Sequence, residues 1–496
     1  MFLLKRLFAR PATVAEPPAP TAPDPRDALL RRWLAEEVAP AYSWDELAAD
    51  SARLEAARLL AEGAAPERIE PLLGPPEAGG AQNVDRMLRA DVWLRQGQLD
   101  RALPLLEALA AGADASAARA TMLLGEVRYD HGEFAAAIAL AERARQLAPE
   151  GFGCLLLLGN VRNFQGRYEE ALALFRRALA QRPQSLLAIG QLSVALMGCG
   201  ALREGLQSYA AADDLLGAYP RAEVCPVWQG EPLGDQRLLV IGAYGYGDVM
   251  MFLRFVAQLR EREPRVRLSI DIQPRLARLV RATGWFETVY DGAADRGAAD
   301  YQVSTMRLPL VLGATEGDLL RHDPCLRIAA ADVAAAGTWL PPRRAGVKRV
   351  GLRWFGRPMH FDAKRSIPFA QLAPLFAVPG IEWVALVEEA PLLQGLGAHP
   401  LLDVSTHLVD FYATGALLQQ LDLVISVDTA TVHLAGSLGR PTWLIARPDY
   451  EWRWGESGAA APWYGSVRVF RHPPQGFDWR ALVAQMERAL RAWAAA

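Results

Sequence analysis

The chain has 496 residues, 51% of them hydrophobic, with 53 basic against 56 acidic side chains and a formal net charge of −3. That length allows two to four domains with real cores. The balanced charge, without a basic block or an acidic tail, argues against a nucleic-acid-binding protein, and the absence of an 18-residue apolar run argues against a transmembrane segment. The first ten residues, MFLLKRLFAR, are apolar and basic. Their apolar run is too short for a signal-peptide core and is interrupted by charge. Pro11 to Pro25 is a Pro/Ala-rich stretch, expected to be disordered. Residues 1–27 are therefore expected to be a tail and linker, the alternative being a weak membrane-surface anchor. Four cysteines, Cys154, Cys199, Cys225 and Cys325, stand far apart with no C-x-x-C pair. They read as small hydrophobes of a reducing compartment, with cytoplasmic localisation expected.

The first half is built on a repeat. Gly125, Gly132, Ala137, Ala144 and Pro149 recur as Gly159, Gly166, Ala171, Ala178 and Pro183, each pair 34 residues apart. That is the period of tetratricopeptide repeats. Small residues stand where two helices cross closely, Gly at the turn, and Pro at the end of the second helix. Weaker copies flank these two, with Gly97 and Ala102 upstream and Gly200, Tyr209 and Ala212 downstream, where Gly205 replaces the usual Ala. Residues 28–75 read as a degenerate cap, and 28–220 as an α-solenoid. Its groove could capture a protein or peptide acceptor, or serve dimerisation and packing.

Beyond Gly217 strands and helices alternate. Strands are expected at Arg237–Ile241, Val266–Ile272, Glu287–Tyr290 and Tyr301–Ser304, with helices at Val249–Arg260 and Leu276–Thr283. A Pro341-Pro342 break precedes a second series. Its expected strands are Arg349–Trp354, Trp383–Val387, Leu423–Val427 and Thr442–Ala446, and its helices Ile367–Phe376, Thr414–Leu421, Thr431–Leu438 and Trp479–Ala494. Such alternation means parallel sheets, and two series mean two doubly wound units, 230–342 and 346–496. Ligands of such folds bind beyond the carboxyl ends of the strands.

Three loops could carry chemistry. Gly242-Ala-Tyr-Gly245-Tyr-Gly247-Asp248 follows the first strand. Its glycines permit close backbone approach to a ligand. Its spacing is not G-x-G-x-x-G, so a dinucleotide site is disfavoured even with Asp271 downstream. Asp248 could be a general base, but the local sequence favours a cap on a helix beginning at Val249. The second loop, Asp428-Thr429-Ala430-Thr431-Val432-His433, joins a strand to a helix start able to hold a diphosphate. Thr429 and His433 share a helix face. In the third, Arg353, His360, Asp362, Lys364, Arg365 and Ser366 follow a strand, where cations could offset a diphosphate's charge or simply be solvated. No D-x-D or H-E-x-x-H occurs, so no metal is expected. The lack of G-x-S-x-G argues against a hydrolase.

Together these loops resemble bacterial glycosyltransferases of the heptosyltransferase-like superfamily in a version fused to tetratricopeptide repeats. The resemblance covers about 230–496. It rests on Gly245-Tyr-Gly247-Asp248, Gly351-Leu-Arg-Trp354 and Arg365-Ser366-Ile367-Pro368. Its most specific stretch is Asp422–Pro441, DLVISVDTATVHLAGSLGRP. Glu451-Trp-Arg-Trp454, Pro462-Trp463-Tyr464 and Arg468–Arg471 also look family-typical. The architecture is similar to O-linked N-acetylglucosamine transferases. The resemblance implies a GT-B fold of two Rossmann-like α/β subdomains and metal-independent transfer from a nucleotide-sugar donor, without a cofactor. Asp248 would be the base, and Gly245 and Gly247 would form the glycine loop. Asp428, Thr429, Ala430 and His433, with Arg353, Lys364 and Arg365, would hold the donor. Ala430 stands where the family often has Gly, and Arg353 and Glu388 where less charged residues are usual. The expected activity is sugar transfer to a hydroxyl of a protein acceptor, such as flagellin or another surface protein, selected by the repeats. Its rivals are a non-catalytic scaffold and a transferase acting on lipopolysaccharide or another glycan. A homo-oligomer is compatible with the sequence.

Overall fold

The structure is a computed structural model, and it describes residues 50–62, 64–73, 83–216, 225–242, 244–292, 297–320, 322–356, 365–388, 399, 401–447, 451–455, 457–472 and 478–496. The expected tail lies outside them, as do Lys364, His360 and Asp362. The chain divides into two compact units, Met1–Ala195 and Leu196–Ala496.

The first unit is helical. Helix α1 is Ser51–Glu62, followed by α2 Asn83–Gln96, α3 Leu99–Ala110, α4 Ala115–Asp130, α5 Phe134–Leu147, α6 Phe152–Phe164 and α7 Tyr168–Gln181. Gly97, Gly132 and Gly166 all have φ near +75°, the left-handed conformation that ends a helix cheaply only for glycine. Each closes the first helix of a hairpin. Ala102, Ala137 and Ala171 are fully buried at the crossings, and a Cβ on Gly159 would overlap the Phe175 ring. The 34-residue spacing thus records a packing requirement. Successive hairpins are also tied by polar contacts. Arg119 donates to Asp91 at 2.8 Å with both side chains nearly buried, and Arg143 donates to the carbonyls of Ala110 and Gly112. Helix α8, Leu186–Gly198, spans the division between units.

The second unit opens with α9, Leu202–Leu216, and then forms two sheets. The first sheet contains β1 Arg237–Ile241, β2 Arg267–Asp271, β3 Thr288–Tyr290 and β4 Tyr301–Ser304, all parallel in the order β3-β2-β1-β4. Helices α10 Tyr246–Phe252, α11 Arg254–Arg262 and α12 Pro274–Arg281 connect these strands. Helix α13, Ala330–Gly337, leads to the second sheet. Its strands are β5 Lys348–Arg353, β6 Ile381–Ala385, β7 Leu401–Asp403, β8 Leu423–Val427, β9 Thr442–Ile445, β10 Ala460–Ala461 and β11 Tyr464–Phe470. The order is β10-β11-β9-β8-β5-β6-β7, with only β10 antiparallel. Its helices are α14 Phe411–Leu418, α15 Ala430–Ser437 and α16 Trp479–Ala495.

Every residue of β8 is buried, as expected for a parallel strand covered on both faces. On one face Leu423, Ile425 and Val427 join Trp443 and Ile445 beneath Leu482, Val483, Met486 and Leu490 of α16. The unit is thus two Rossmann-like α/β halves, the GT-B arrangement.

Three local expectations need correction. The helix expected over Val249–Arg260 starts at Tyr246 and is interrupted at Leu253. The expected helix Ile367–Phe376 is a 3₁₀ turn, Phe369–Leu372, then a single α-turn, Ala373–Phe376. Pro374 there fits only the start of a helix, because inside one it removes a hydrogen bond and clashes. Strands β7, β10 and β11 have no counterpart among the expected strands.

Candidate functional site

The glycine loop leaves β1, the Asp428 loop leaves β8, and both emerge at carboxyl ends of parallel strands. The helices that follow them, α10 and α15, pack directly against each other across the two halves of the unit. At the seam, a Cβ on Gly247 would lie 2.5 Å from His433 Cδ2. The bare backbone at 247 is therefore what lets the helices meet. Tyr244, just upstream, is the non-glycine residue with positive φ, +81°, among those described. Its carbonyl accepts from Gln273 Nε2 at 2.7 Å, and its ring meets Tyr209 of α9 edge-on at 5.3 Å. Backbone strain of this kind costs about 1–3 kcal/mol and persists only where neighbours enforce it.

Asp248 is not the expected cap. Helix α10 begins two residues before it, with Gly245 at the N-cap, so Asp248 already lies inside the first turn. Its Oδ1 instead accepts a hydrogen bond from Arg453 Nη2. Arg453 also donates to Glu451 through Nη1, and its guanidinium lies 4.5 Å from the Trp452 ring centroid. Glu451 in turn stands 3.8 Å from Arg447. Burial pulls the Arg453 pKa down, but the charges of Asp248, Glu451 and Asp428 outweigh it and raise the group above its ordinary value. Arg453 thus lies between carboxylates from both halves.

Asp428 is buried, and Thr429 is the extended N-cap of α15 with its hydroxyl 3.2 Å from Ser426 Oγ. Ala430 begins the helix without positive φ, so the substitution for Gly costs no backbone strain. His433 is 4% exposed. Its Nδ1 is 3.0 Å from Tyr464 Oη, and its ring lies 5.0 Å from that of Trp454. Burial, with help from Arg453, pushes its pKa down to about 3. It is a buried wedge of the seam.

Arg353 has partners of its own. Its Nε donates to Phe355 O at 2.9 Å, and its Nη1 to Leu386 O at 2.9 Å and Glu388 Oε2 at 2.6 Å. Glu388 also accepts from Arg275 of α12 at 3.4 Å. The two unusual charges therefore satisfy each other and brace the third loop. Arg365 is half-buried beside Ser366, whose hydroxyl accepts from Gly356 N at 3.1 Å.

The sequence reading placed Glu451, Arg453, Trp463 and Tyr464 in family-typical stretches but gave them no role. Arg254 belongs to none of the sequence motifs. It is buried, donating to Met251 O and Trp463 O at 3.0 and 3.1 Å. Spacing could not reveal these residues, because Asp248 and Arg453 are 205 positions apart. Groups of three or more His, Cys, Asp or Glu that could hold a metal are absent among the described residues.

Fold and site together define a tetratricopeptide-type repeat segment joined to a GT-B pair of Rossmann-like halves, with charged and polar residues of both halves meeting at the strand ends. A family model described as "Anaphase-promoting complex, cyclosome, subunit 3" matches residues 95–178, within the repeats. The chain is 29% identical over 465 residues to the protein FlbA of Caulobacter vibrioides, covering 86% of this chain and 74% of that one. Among solved structures it is similar to a family 9 glycosyl transferase from Veillonella parvula, with 13% identity, a TM-score of 0.40 and coverage of 53% and 99% of the two chains. It is also similar to the E. coli ADP-heptose heptosyltransferase II, with 15% identity, a TM-score of 0.37 and coverage of 52% and 100%.

Proposed function

We propose that the second unit transfers a sugar from a nucleotide-diphosphate donor to a hydroxyl of a protein acceptor that the repeats select. The observation that carries this reading is the packing of α10, which bears Asp248, against α15, which starts from the Asp428-Thr429-Ala430 loop after β8, with Gly247 against His433 at the contact. This pairs a carboxylate from one half with a helix start from the other. The first amide groups of α15 lack intrahelical partners and suit a diphosphate. In the reaction, Asp248 accepts the proton of the acceptor hydroxyl. The freed oxygen bonds to the anomeric carbon, the bond from that carbon to the diphosphate oxygen breaks, and the nucleoside diphosphate leaves with the electron pair. Arg365 and Lys364 would offset the leaving charge. His433 and Gly247 shape the floor on which the two halves meet.

One observation favours a non-catalytic scaffold instead, namely that the Asp248 carboxylate is already paired with a guanidinium. A mass-spectrometric transfer assay with a panel of nucleotide sugars and candidate protein and glycan acceptors separates the readings. The transferase reading expects product with wild type and none with Asp248→Ala. Product formation that survives this substitution unchanged removes Asp248 as base, and transfer confined to glycans removes the protein acceptor.

A further inference from the structure

The transferase reading assigns Arg453 no part, yet this side chain is the charge centre of the seam. Its two amino nitrogens serve different masters. Nη1 is held by Glu451, two residues away in the same turn, while Nη2 reaches across to Asp248 in the other half. The Trp452 ring backs the guanidinium plane, and 17% of the side chain remains accessible. Asp428, in the loop proposed to hold the donor, is near enough for its charge to act on the same group.

We propose that Arg453 is an exchangeable cation, neutralising Asp248 until the diphosphate of a nucleotide-sugar donor competes for its Nη2 edge and frees the carboxylate to act as base. This inference rests on the transferase reading. A guanidinium presents a planar fork that fits phosphate oxygens at least as well as a carboxylate, and a diphosphate brings more charge than one Asp. Glu451 and Trp452 keep the group oriented during the exchange, which makes Glu451 a positioning residue. An oxygen that already accepts a guanidinium N–H has that lone pair committed, so transfer would await donor binding. The donor would bind first, and the acceptor would be deprotonated only afterwards.

The exchange predicts that Asp248 antagonises diphosphate binding. Titration of the full-length chain with inorganic pyrophosphate, then with ADP, GDP, UDP, CDP and TDP, tests this by calorimetry. Asp248→Asn removes the competing charge at constant shape and should tighten binding about tenfold. Arg453→Gln should abolish binding, and Arg453→Lys, which keeps the charge but not the fork, should recover only part of it. Thermal unfolding of each variant identifies a folding failure, and in that event the Asp248→Asn result decides alone. Diphosphates that bind wild type and Asp248→Asn equally overturn the exchange while leaving the transferase reading intact. If none of these compounds binds wild type or Asp248→Asn, the transferase reading falls and the exchange falls with it.

Discussion

Glycine-to-alanine substitution inside a helix ordinarily stabilises a protein by roughly 0.5–1 kcal/mol, because glycine has more backbone freedom to lose. At Gly247, a helical residue of α10, the opposite sign is expected. The added Cβ would lie 2.5 Å from His433 Cδ2, 3.0 Å from Nε2 and 3.2 Å from Cγ, and thus overlap a whole edge of the ring. The ring cannot retreat, because Tyr464 holds Nδ1 at 3.0 Å and Trp454 packs against it. Helix α10 must move instead, carrying Asp248 off Arg453. Overpacking of this kind costs about 1–3 kcal/mol, so Gly247→Ala should lower stability in urea unfolding. If Asp248 is the base of the proposed transfer, misplacing it by about 1 Å should lower that transfer by about a hundredfold. The double variant Gly247→Ala/His433→Ala should relieve the overlap and recover part of the lost activity. Gly247→Ala with unchanged or raised stability would refute the packing account of the seam.

Acid should destabilise the fold in a defined window. His433 is held at about 3 and His472 at about 4, both chiefly by burial, below an unfolded value of about 6.5. The unfolded chain therefore takes up protons first. Stability from this source is complete above about pH 6.5 and falls as pH drops towards the folded values, by up to about 1.4 kcal/mol per pH unit for each histidine. Urea midpoints at pH 7.5 and 5.5 check this, and His472→Gln should flatten the slope. Arg353→Met should cost about 1–3 kcal/mol, since it leaves the carbonyls of Phe355 and Leu386 without this donor, whereas Glu388→Gln should cost less than half as much; chemical denaturation of both variants measures the difference. Gly159→Ala should destabilise the repeat unit by about 1–3 kcal/mol through overlap with Phe175, visible in the thermal unfolding transition.

The repeats were legible because each element carries its own signal. A left-handed glycine and a small crossing residue are local demands, and they return at a fixed period. The two sheets were legible for the same reason, since buried parallel strands read as apolar runs bounded by glycine-rich turns. Strand β11 was not, because Gly465, Ser466 and Arg468 break the apolar run. The site was half legible. Gly247 and the Asp428-Thr429 loop stand next to strand ends, where position alone suggests a ligand. The partner of Asp248 does not, because Arg453 arrives from a 3₁₀ turn at the far end of the chain. The partners of Arg353 are hidden for a related reason, since Glu388 lies 35 residues downstream.

The central claim is that the Asp428 loop binds a nucleotide-sugar donor. Thermal unfolding of the full-length chain with a panel of nucleoside-diphosphate sugars tests it most directly. A true donor at about 100 times its Kd should add about 2.7 kcal/mol of stability, and its own nucleoside diphosphate should compete with it. Asp428→Ala should remove the effect. A panel in which no donor raises the Tm, or a shift that survives Asp428→Ala undiminished, would contradict the account.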